Sequence, residues 1–418
     1  MLKMCIIETS MMSTLLLKNI KKIYRVSSEK PPSILIKDGI IQEIAAYEDI
    51  LRIYGKSALE SASILDCSDT IAVPGFVDSH THLLFCGSRE NELYLRAGGY
   101  SYMEIMEKGG GIYSTVKAVR SVSEEVLIEN GLKFLDKALS FGTTTIEIKS
   151  GYGLDYKTEK KMLAVINRLN DLHPIDIIPT FLVHTVPRDI SREKYIDLVA
   201  NQMIPQFREY TDWFDIFLEK GVFDIEEGEF LISRALHAGY RVGIHTNQIH
   251  DIGGVELASE LGVRHVDHLE VLSEKDAVLI AENENLYPVF LPSAESFVFS
   301  ENIGQIHQLL NIPSRIVLAT DFNPGSSPVL SPQLILTLAV LRYRISNPYL
   351  LLDSFTENPA RMLDLGDRGR IKKGAKADIV CLELENFEQI PYYGTLNFIK
   401  FVIKDGTLRY AQNNSASS

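Results

Sequence analysis

The sequence has few cysteines. Only four occur among its 418 residues, and they lie far apart at Cys5, Cys67, Cys86 and Cys381. Disulfide-stabilised proteins need dense, paired cysteines, and metal or redox motifs often use Cys-x-x-Cys pairs, none of which is present. We therefore expect free thiols in a reducing compartment and predict a cytoplasmic protein.

Long apolar runs are also missing. The apolar stretch at the N-terminus is interrupted by Glu8 and falls well short of the roughly 20 residues that span a bilayer. Met11 and Met12 leave a later start codon open. We expect neither secretion nor contact with a membrane.

Positive charge is in deficit. Lysine and arginine number 42 against 55 aspartates and glutamates, which gives a formal net charge of -13. Such a surface repels a phosphate backbone, so nucleic acid is not an expected partner. A small anionic substrate would need a local cation, because the field of the whole protein does not supply one. This requirement directs attention to individual arginines.

Short strand patterns occupy both ends of the chain. From residue 14 to 70, and again from 366 onward, short apolar runs alternate with polar turns, and Asp38-Gly39 and Asp405-Gly406 each indicate a tight hairpin turn. We predict one small β-sandwich domain formed by residues 1–72 and 365–418. The polar tail QNNSASS is expected to be frayed.

Between these segments, apolar runs alternate with helical patterns over residues 73–364. Each run is nearly continuous in apolar residues, as expected of parallel strands that are buried on both faces. The runs are TIAVPGFVDSH, GTTTIEIKS, IDIIPTFLVHT, DWFDIFLE, YRVGIHT, VRHVDHL, NLYPVFLP and SRIVLATD. About eight such strands predict an α/β fold, a (β/α)8 TIM-like barrel with catalytic groups at the C-terminal ends of its strands.

Four candidate metal ligands end these runs. His80 and His82 end the first run, where the two-residue period of a strand turns both imidazoles to one side. His245 ends YRVGIHT and Asp321 ends SRIVLATD. Each residue alone is typical of a polar strand end or a cap, but three imidazoles and one carboxylate together suit zinc or iron(II) better than calcium or magnesium. We predict one divalent metal ion, Zn or Fe.

His268, in VRHVDHLE, ends another strand without being needed as a ligand. We expect it to move protons or to hydrogen-bond the attacking water or the substrate carbonyl. The alternative is a histidine that only supports a ligand residue. Structural roles are expected for His173, His237, His250, His265 and His307.

Several motifs resemble one family. Imidazolonepropionases, members of the amidohydrolase superfamily that open the imidazolone ring in histidine breakdown, are similar in PGFVDSHTHLLFCGSRENE, GGGI, EIKSGYGLD, HTNQ, VDHLE and ATDFNPGSSP. GRIKKGAKADIV resembles the C-terminal segment of that superfamily. Many amidohydrolases share the two-histidine motif, whereas EIKSGYGL and TDFNPGSSP are much more particular to this family.

The resemblance implies a metal-dependent hydrolase that converts 4-imidazolone-5-propanoate to N-formimidoyl-L-glutamate. It implies His80, His82, His245 and Asp321 as metal ligands, in agreement with the strand ends, and His268 with Asp321 as catalytic residues. The substrate contacts that it implies are Arg89, Tyr152, His184, Gln248, Asn323, Gly325 and Ser326.

Three of these contacts also have a chemical reason. The planar fork of Arg89 suits a propionate carboxylate, although most arginines form surface ion pairs. Tyr152 lies between two glycines that permit close approach of a ligand, but a Tyr bonded to backbone is a competing interpretation. The turn at 323–327 has amides suited to an anion, unless it is an ordinary tight turn.

The sequence departs from the family pattern twice. Gln248 stands where the family often carries a glutamate, and an amide cannot act as a general base. The FLVHTVP segment is one residue shorter than the pattern, so His184 matches the family's substrate contact less closely than the other residues do.

Other functions remain open at this point. A nucleobase deaminase or another cyclic amidase would share the metal residues, and a two-metal enzyme would need a bridging carboxylate, for which Glu219 is the candidate. A non-catalytic metabolite-binding barrel would normally have lost a ligand or the acid-base residue. A homodimer is common among soluble enzymes, but no patch in the sequence indicates one.

Overall fold

The structure, a computed structural model, describes residues 14–412 apart from 101–103 and 106–107. Cys5, the N-terminal apolar stretch, the candidate start at Met11 and Met12, and all but the first residue of the predicted polar tail lie outside this range. In the described part of the chain, no helix combines the length and the apolar character that crossing a membrane requires.

Strands and helices alternate through the middle of the chain. The strands are β1 (Thr14–Lys18), β2 (Lys22–Ile23), β3 (Pro32–Lys37), β4 (Ile40–Ala46), β5 (Ser63–Asp66), β6 (Ile71–Pro74), β7 (Phe76–Asp78), β8 (Thr143–Lys149), β9 (Asp176–Val183), β10 (Trp213–Phe217), β11 (Arg241–Thr246), β12 (His265–His268), β13 (Tyr287–Phe290), β14 (Val317–Leu318), β15 (Ile379–Leu382), β16 (Ile399–Lys404) and β17 (Thr407–Ala411). The helices are α1 (Tyr47–Tyr54), α2 (Lys56–Leu59), α3 (Glu90–Ala97), α4 (Ile112–Ser121), α5 (Glu124–Ser140), α6 (Tyr156–Leu172), α7 (Arg192–Leu198), α8 (Ile204–Phe207), α9 (Ile225–His237), α10 (Gly254–Leu261), α11 (Glu274–Glu282), α12 (Pro292–Phe297), α13 (Pro332–Tyr343), α14 (Pro348–Asp353), α15 (Glu357–Met362) and α16 (Gln389–Tyr392). A π-helical turn (Val199–Met203) joins α7 to α8, and a 3-10 turn (Ile306–Leu309) precedes β14.

Two sheets built from the chain ends pack face to face. One has the order β4-β3-β1-β5, and the other, β17-β16-β15-β6-β2, combines strands from both ends. Alternate residues of each sheet, such as Leu15, Ile36 and Ile379, share one core between them. The residues in between, such as Leu16 and Leu35, point the other way and pack under α1 and α2. The period-two pattern therefore produces the sandwich expected from the sequence.

The two predicted hairpin turns touch each other. Asp38 and Gly39 have φ angles of 52° and 77°, and Asp405 and Gly406 have 49° and 70°, as a type I′ turn requires. A side chain on Gly39 would lie 3.1 Å from the Asp405 carbonyl oxygen, and one on Gly406 would lie 2.8 Å from the Gly39 Cα. Glycine is thus needed for both the backbone angles and the contact between the chain ends.

The barrel is an eight-stranded parallel sheet in the order β14-β13-β12-β11-β10-β9-β8-β7. A parallel bridge between Thr81 and Phe322 brings its two ends together just beyond β7 and β14. The predicted α/β barrel with a sandwich from the terminal segments is confirmed. β6 and β7 are separated by Gly75 alone, and the domain boundaries at 72/73 and 364/365 stay a prediction.

β15 joins the sandwich to the barrel. Ile379 and Cys381 lie in the sandwich core, whereas Val380 and Leu382 lie in the barrel core. Because both faces are buried, this strand reads as a continuous apolar run. The free thiols of Cys67 and Cys381 are both buried in the sandwich.

A buried charge cluster makes a second connection. The Lys404 side chain is 1% exposed, and its Nζ lies 3.0 Å from Asp176 Oδ2, 3.3 Å from Asp378 Oδ2 and 2.8 Å from Asp405 Oδ2. Asp176 begins β9 of the barrel, so this ammonium group links β16 to the barrel wall.

We expect Lys404→Met to lower the free energy of unfolding by about 3–5 kcal/mol, because it leaves the buried Asp378 carboxylate without its ion-pair partner. Lys400→Met, on the same strand, removes an ion pair to the more exposed Asp69 and is expected to cost about 1 kcal/mol or less. Urea denaturation of both variants measures the difference. Equal losses would contradict the structural role given to Lys404.

Candidate active site

His80 and His82 lie immediately beyond β7 in a segment held from both sides. The His82 amide donates to the Phe322 carbonyl at 2.9 Å, the Asp321 amide donates to the His80 carbonyl at 3.0 Å, and the Lys149 amide donates to the Thr81 carbonyl at 2.9 Å. These bonds continue the ladder past the formal end of the strand. Both imidazoles are therefore fixed in the barrel mouth, where they are buried.

Four side-chain atoms converge in that mouth. The His82 Nε2 atom lies 3.4 Å from Asp321 Oδ1 and 3.5 Å from His245 Nε2, and His80 Nε2 lies 3.5 Å from Asp321 Oδ1. Ligands bound tetrahedrally at about 2.0–2.1 Å from a metal lie about 3.3 Å apart. His80 Nε2 is also buried without a hydrogen-bond partner in the described chain. The spacing and the donor atoms fit one divalent metal ion.

Two carboxylates orient the imidazoles from below. Asp267 Oδ2 lies 2.6 Å from His80 Nδ1, and Asp215 Oδ1 lies 2.9 Å from His245 Nδ1. An ionised carboxylate only accepts, so each Nδ1 carries the proton and each Nε2 presents its lone pair to the mouth.

A buried lysine lies under these carboxylates. Lys149 Nζ donates to Asp215 Oδ2 at 2.7 Å and to Glu147 Oε1 at 3.0 Å, and its side chain is fully buried. Burial alone would raise the pKa of Asp215, but His245 and Lys149 hold it well below its usual range. Asp215 therefore stays an anion that can polarise His245.

His268 reaches the mouth through an unusual backbone. Its φ of 87° is left-handed, a conformation that costs free energy for a non-glycine residue and is enriched at functional sites. The ring lies 5.4 Å from the ring of His245, and Nδ1 lies 3.3 Å from Glu270 Oε1. Burial lowers the pKa of His268. The charge of Glu270 and its hydrogen bond, together with the charge of Asp321, have a larger combined effect and raise this pKa to about 9.

Asp321 is also left-handed, with a φ of 49°, and burial raises its pKa to about 7. A carboxyl group with such a pKa can exchange a proton near neutral pH. The structure thus brings together all five residues predicted as ligands or catalytic groups: His80, His82, His245, His268 and Asp321.

Tyr152 and His184 form one aromatic wall of the mouth. The His184 ring stacks on His82 with centroids 5.3 Å apart, and the Tyr152 ring lies 5.8 Å from His184. Burial lowers the pKa of His184 to about 3, so this imidazole is neutral. Glu159 holds the Tyr152 loop by accepting from the amides of Gly151, Gly153 and Leu154 at 2.7–2.8 Å.

The turn after Asp321 differs from the expectation of free amides. The Asn323 side-chain oxygen accepts from the amides of Gly325 at 2.8 Å and Ser326 at 2.7 Å, and its NH2 group donates to the Asp321 carbonyl at 2.7 Å. These two amides are used inside the turn because the Asn side chain reaches back over it. They do not point to an anion.

Arg89 lies beside this turn. A Cβ atom on Gly325 would be 2.5 Å from Arg89 Cζ, so the guanidinium packs directly on the glycine backbone. Its Nε donates to Glu92 at 2.8 Å.

Gln248 is partly exposed on the loop that follows β11. Glu219, the candidate bridging carboxylate, is turned toward that loop: Oε2 accepts from the Ile249 amide at 3.0 Å, and Oε1 lies 2.8 Å from His250 Nδ1. It belongs to no metal-like group of His, Cys, Asp and Glu in the described residues. The geometry therefore favours one metal ion over two.

Two of the histidines that were expected to be structural have carboxylate partners. His265 Nδ1 lies 2.7 Å from Asp267 Oδ1, and its ring fills the space above Gly243. His173 pairs with Asp136 at 3.3 Å, outside the mouth.

Four further residues of the site were not among the predicted ones: Asp215, Asp267, Lys149 and Glu92. Asp215 is a charged residue inside the otherwise apolar strand WFDIF, and Lys149 and Asp267 also lie in strands of the predicted barrel. Buried charges need partners, so they pointed to an internal network. Glu92 carried no such signal, because a glutamate near the start of a helix is ordinary.

Known proteins resemble this chain in sequence. The Amidohydrolase family model matches residues 71–409. Imidazolonepropionase from Bacillus cytotoxicus is 37% identical over 92% of this chain and 90% of its own length. The one from Thermoanaerobacter pseudethanolicus is 38% identical over 94% and 97%. The resemblance seen in the motifs is confirmed.

Solved structures share the fold at much lower identity. A 5-methylcytosine deaminase from Klebsiella pneumoniae superposes with a TM-score of 0.73 at 17% identity, over 97% of this chain and 100% of that one. Ochratoxinase from A. niger has a TM-score of 0.68 at 15% identity, over 96% of each chain. The family model and the relatives show that this chain belongs to the imidazolonepropionase family of amidohydrolases, hydrolases that act on C–N bonds.

Proposed function

We propose that this protein hydrolyses the ring amide of 4-imidazolone-5-propanoate and releases N-formimidoyl-L-glutamate, as the names of its relatives suggest. The convergence of four side chains carries the proposal: Asp321 Oδ1 lies 3.5 Å from His80 Nε2 and 3.4 Å from His82 Nε2, and His82 Nε2 lies 3.5 Å from His245 Nε2. A water oxygen bonds to the ring carbonyl carbon, the C–N bond breaks, and the leaving nitrogen takes up a proton.

These four residues would hold one zinc or iron(II) ion, since their N/O donor set accepts either. When bound, the ion supplies Lewis acidity, which makes a water acidic enough to react at neutral pH and polarises a carbonyl. Asp267 and Asp215 keep two of the imidazoles in the tautomer that binds metal.

Proton transfer falls to Asp321 and His268. Asp321 accepts a proton from the attacking water, because its carboxylate lies beside the imidazoles at the end of the last barrel strand. His268, kept protonated by Glu270, donates toward the oxygen that becomes negative and stabilises it. Gln248 takes no part in proton transfer, because an amide neither gains nor loses a proton in this range.

Arg89 favours a substrate with a carboxylate. On a chain with a net charge of -13, a guanidinium at the edge of the mouth is the local cation that an anionic substrate needs. A nucleobase has no such group, so this residue speaks against the deaminase alternative. Tyr152, His184, Gln248, Asn323 and the Gly325–Ser326 turn would line the rest of the pocket.

The remaining assignments are also proposals. The partner is a small molecule and not a nucleic acid, given the acidic surface, and a homodimer is compatible with the fold. The free thiols of Cys67 and Cys381 support a cytoplasmic location.

Freshly generated 4-imidazolone-5-propanoate should lose its ultraviolet absorbance rapidly with purified, metal-analysed protein. We expect one metal per chain and loss of turnover after chelation, with recovery when zinc or iron(II) is restored. Metal-loaded protein that leaves this substrate intact would refute the proposal and redirect the search to nucleobases and other cyclic amides.

Asp321→Asn is expected to reduce kcat at least about a thousandfold, because the amide cannot take the proton. The fold should persist, since asparagine tolerates the left-handed backbone. Asp364, left-handed with a φ of 59° and outside the site, provides the control Asp364→Asn, which should keep full activity. Thermal melting and turnover are compared, and wild-type turnover in Asp321→Asn would overturn the assignment.

Asp267→Asn is expected to weaken metal binding about 10- to 100-fold, because an amide does not hold the His80 Nδ1 proton as a carboxylate does. Competition with a coloured chelator measures this without any assay of activity. Asp136→Asn removes a His-Asp pair at His173, far from the ligands, and should leave metal affinity unchanged. Unchanged affinity in Asp267→Asn would show that this pair has no effect on the metal.

A further inference from the structure

Glu92 connects separate parts of the chain at the edge of the mouth. This residue lies in the first turn of α3 and is 4% exposed. Its carboxylate accepts from Arg89 Nε at 2.8 Å, Arg89 Nη2 at 2.9 Å and Arg96 Nη2 at 3.2 Å, and from the Gly111 amide at 2.8 Å. One buried anion thus holds two arginines and the glycine loop before α4.

The pairing fixes the orientation of Arg89. Glu92 binds the edge of the guanidinium formed by Nε and Nη2 in a bidentate manner. Because the guanidinium is planar, its Nη1 side then points away from Glu92. The same group packs on Gly325, where a Cβ would lie 2.5 Å from Nη1. Glu92 on one side and Gly325 on the other leave the guanidinium little freedom.

Arg96 extends this arrangement to the turn. Its Nη2 donates to the Gly325 carbonyl at 2.7 Å, and its Nη1 donates to the Phe297 carbonyl at 3.1 Å. The side chains of Arg89 and Arg96 are only 11% and 12% exposed. Two buried guanidinium groups on one carboxylate leave one positive charge in excess, next to the turn that follows Asp321.

Glu92 itself is ionised. Although burial alone would raise the pKa of Glu92, the hydrogen bonds from Arg89 keep it below its usual range. An anion beside the cation that binds a substrate anion would be unfavourable on charge alone. Its benefit must therefore come from geometry, since a long arginine side chain otherwise loses rotamer freedom when it binds a ligand.

We propose that Glu92 is a positioning residue that holds Arg89 for the carboxylate of the substrate and so determines selectivity for carboxylate-bearing rings. This inference rests on the proposed function. It deepens that function by assigning the selectivity to a fixed Arg89-Glu92-Arg96 cluster, and not to the positive charge of Arg89 alone.

The test compares two probes, imidazole-4-propanoate and its amide, whose rings are identical and whose contacts through the ring cancel in the ratio. Their dissociation constants are measured by calorimetry on metal-loaded wild type and on Glu92→Gln. We expect the variant to bind the acid about tenfold more weakly and the amide within about twofold of wild type. The KM for 4-imidazolone-5-propanoate should rise about tenfold with kcat nearly unchanged.

The direction of the effect separates positioning from charge. Glu92→Gln adds one net positive charge, so a purely electrostatic role predicts tighter binding of the acid, and that result would overturn the proposal. Equal weakening of acid and amide would overturn it as well. Glu92→Asp keeps the charge but shortens the side chain, and an intermediate loss of acid binding is expected. If Glu92→Gln does not fold, this second variant carries the test, and wild-type selectivity in it would refute the inference.

Glu357 supplies the matched control. It also pairs with two arginines, Arg361 and Arg370, but on α15 outside the mouth. Glu357→Gln should leave the ratio of acid to amide unchanged. A wild type that shows neither turnover nor preference for the acid would overturn the proposed function itself, whereas a wild-type preference that persists in Glu92→Gln would overturn only the role of Glu92.

Discussion

The ion pair between Lys149 and Asp215 supports the whole mouth of the barrel. Three imidazoles and a carboxylate can converge only if something below them fixes their rings and balances their charge. Asp215 and Asp267 fix the rings of His245 and His80. The positive charge of Lys149 reduces the repulsion between these buried carboxylates. Breaking one member of such a buried group leaves the others uncompensated, which is far costlier than losing a surface pair. The fold and the candidate metal site therefore depend on the same buried charges.

Much of this could be predicted from the sequence, for identifiable reasons. A parallel barrel strand is apolar until it ends, so His80, His245 and Asp321 stood out where the runs stopped. The two Asp-Gly pairs predicted their hairpins because few other residues adopt two successive left-handed angles. These predictions depend on local patterns of apolar residues and turn residues, which can be recognised without the tertiary structure.

Other features depend on register and packing, which the sequence alone does not provide. Asp267 and His268 are neighbours, yet one lies under His80 and the other reaches the mouth, because the backbone turns left-handed at His268. Asn323 was expected to leave amides free, but its side chain takes them. Glu92 has its role only through contacts with Arg89, Arg96 and the Gly111 amide. Such contacts join residues that are distant in sequence, and no periodicity records them.

The contact between the Asp38-Gly39 and Asp405-Gly406 turns has a consequence for how the molecule is made. β6 emerges early in synthesis, whereas its neighbour β15 and the hairpin of β16 and β17 come last, after the entire barrel. Until then β6 is an unpaired strand edge, which invites pairing with other chains. Pairing with β15 closes that edge, and the hairpin of β16 and β17 then seats against the first hairpin turn. The contact between the two glycine turns therefore forms only after residue 406 has been synthesised, and chains truncated before this residue cannot complete the sheet.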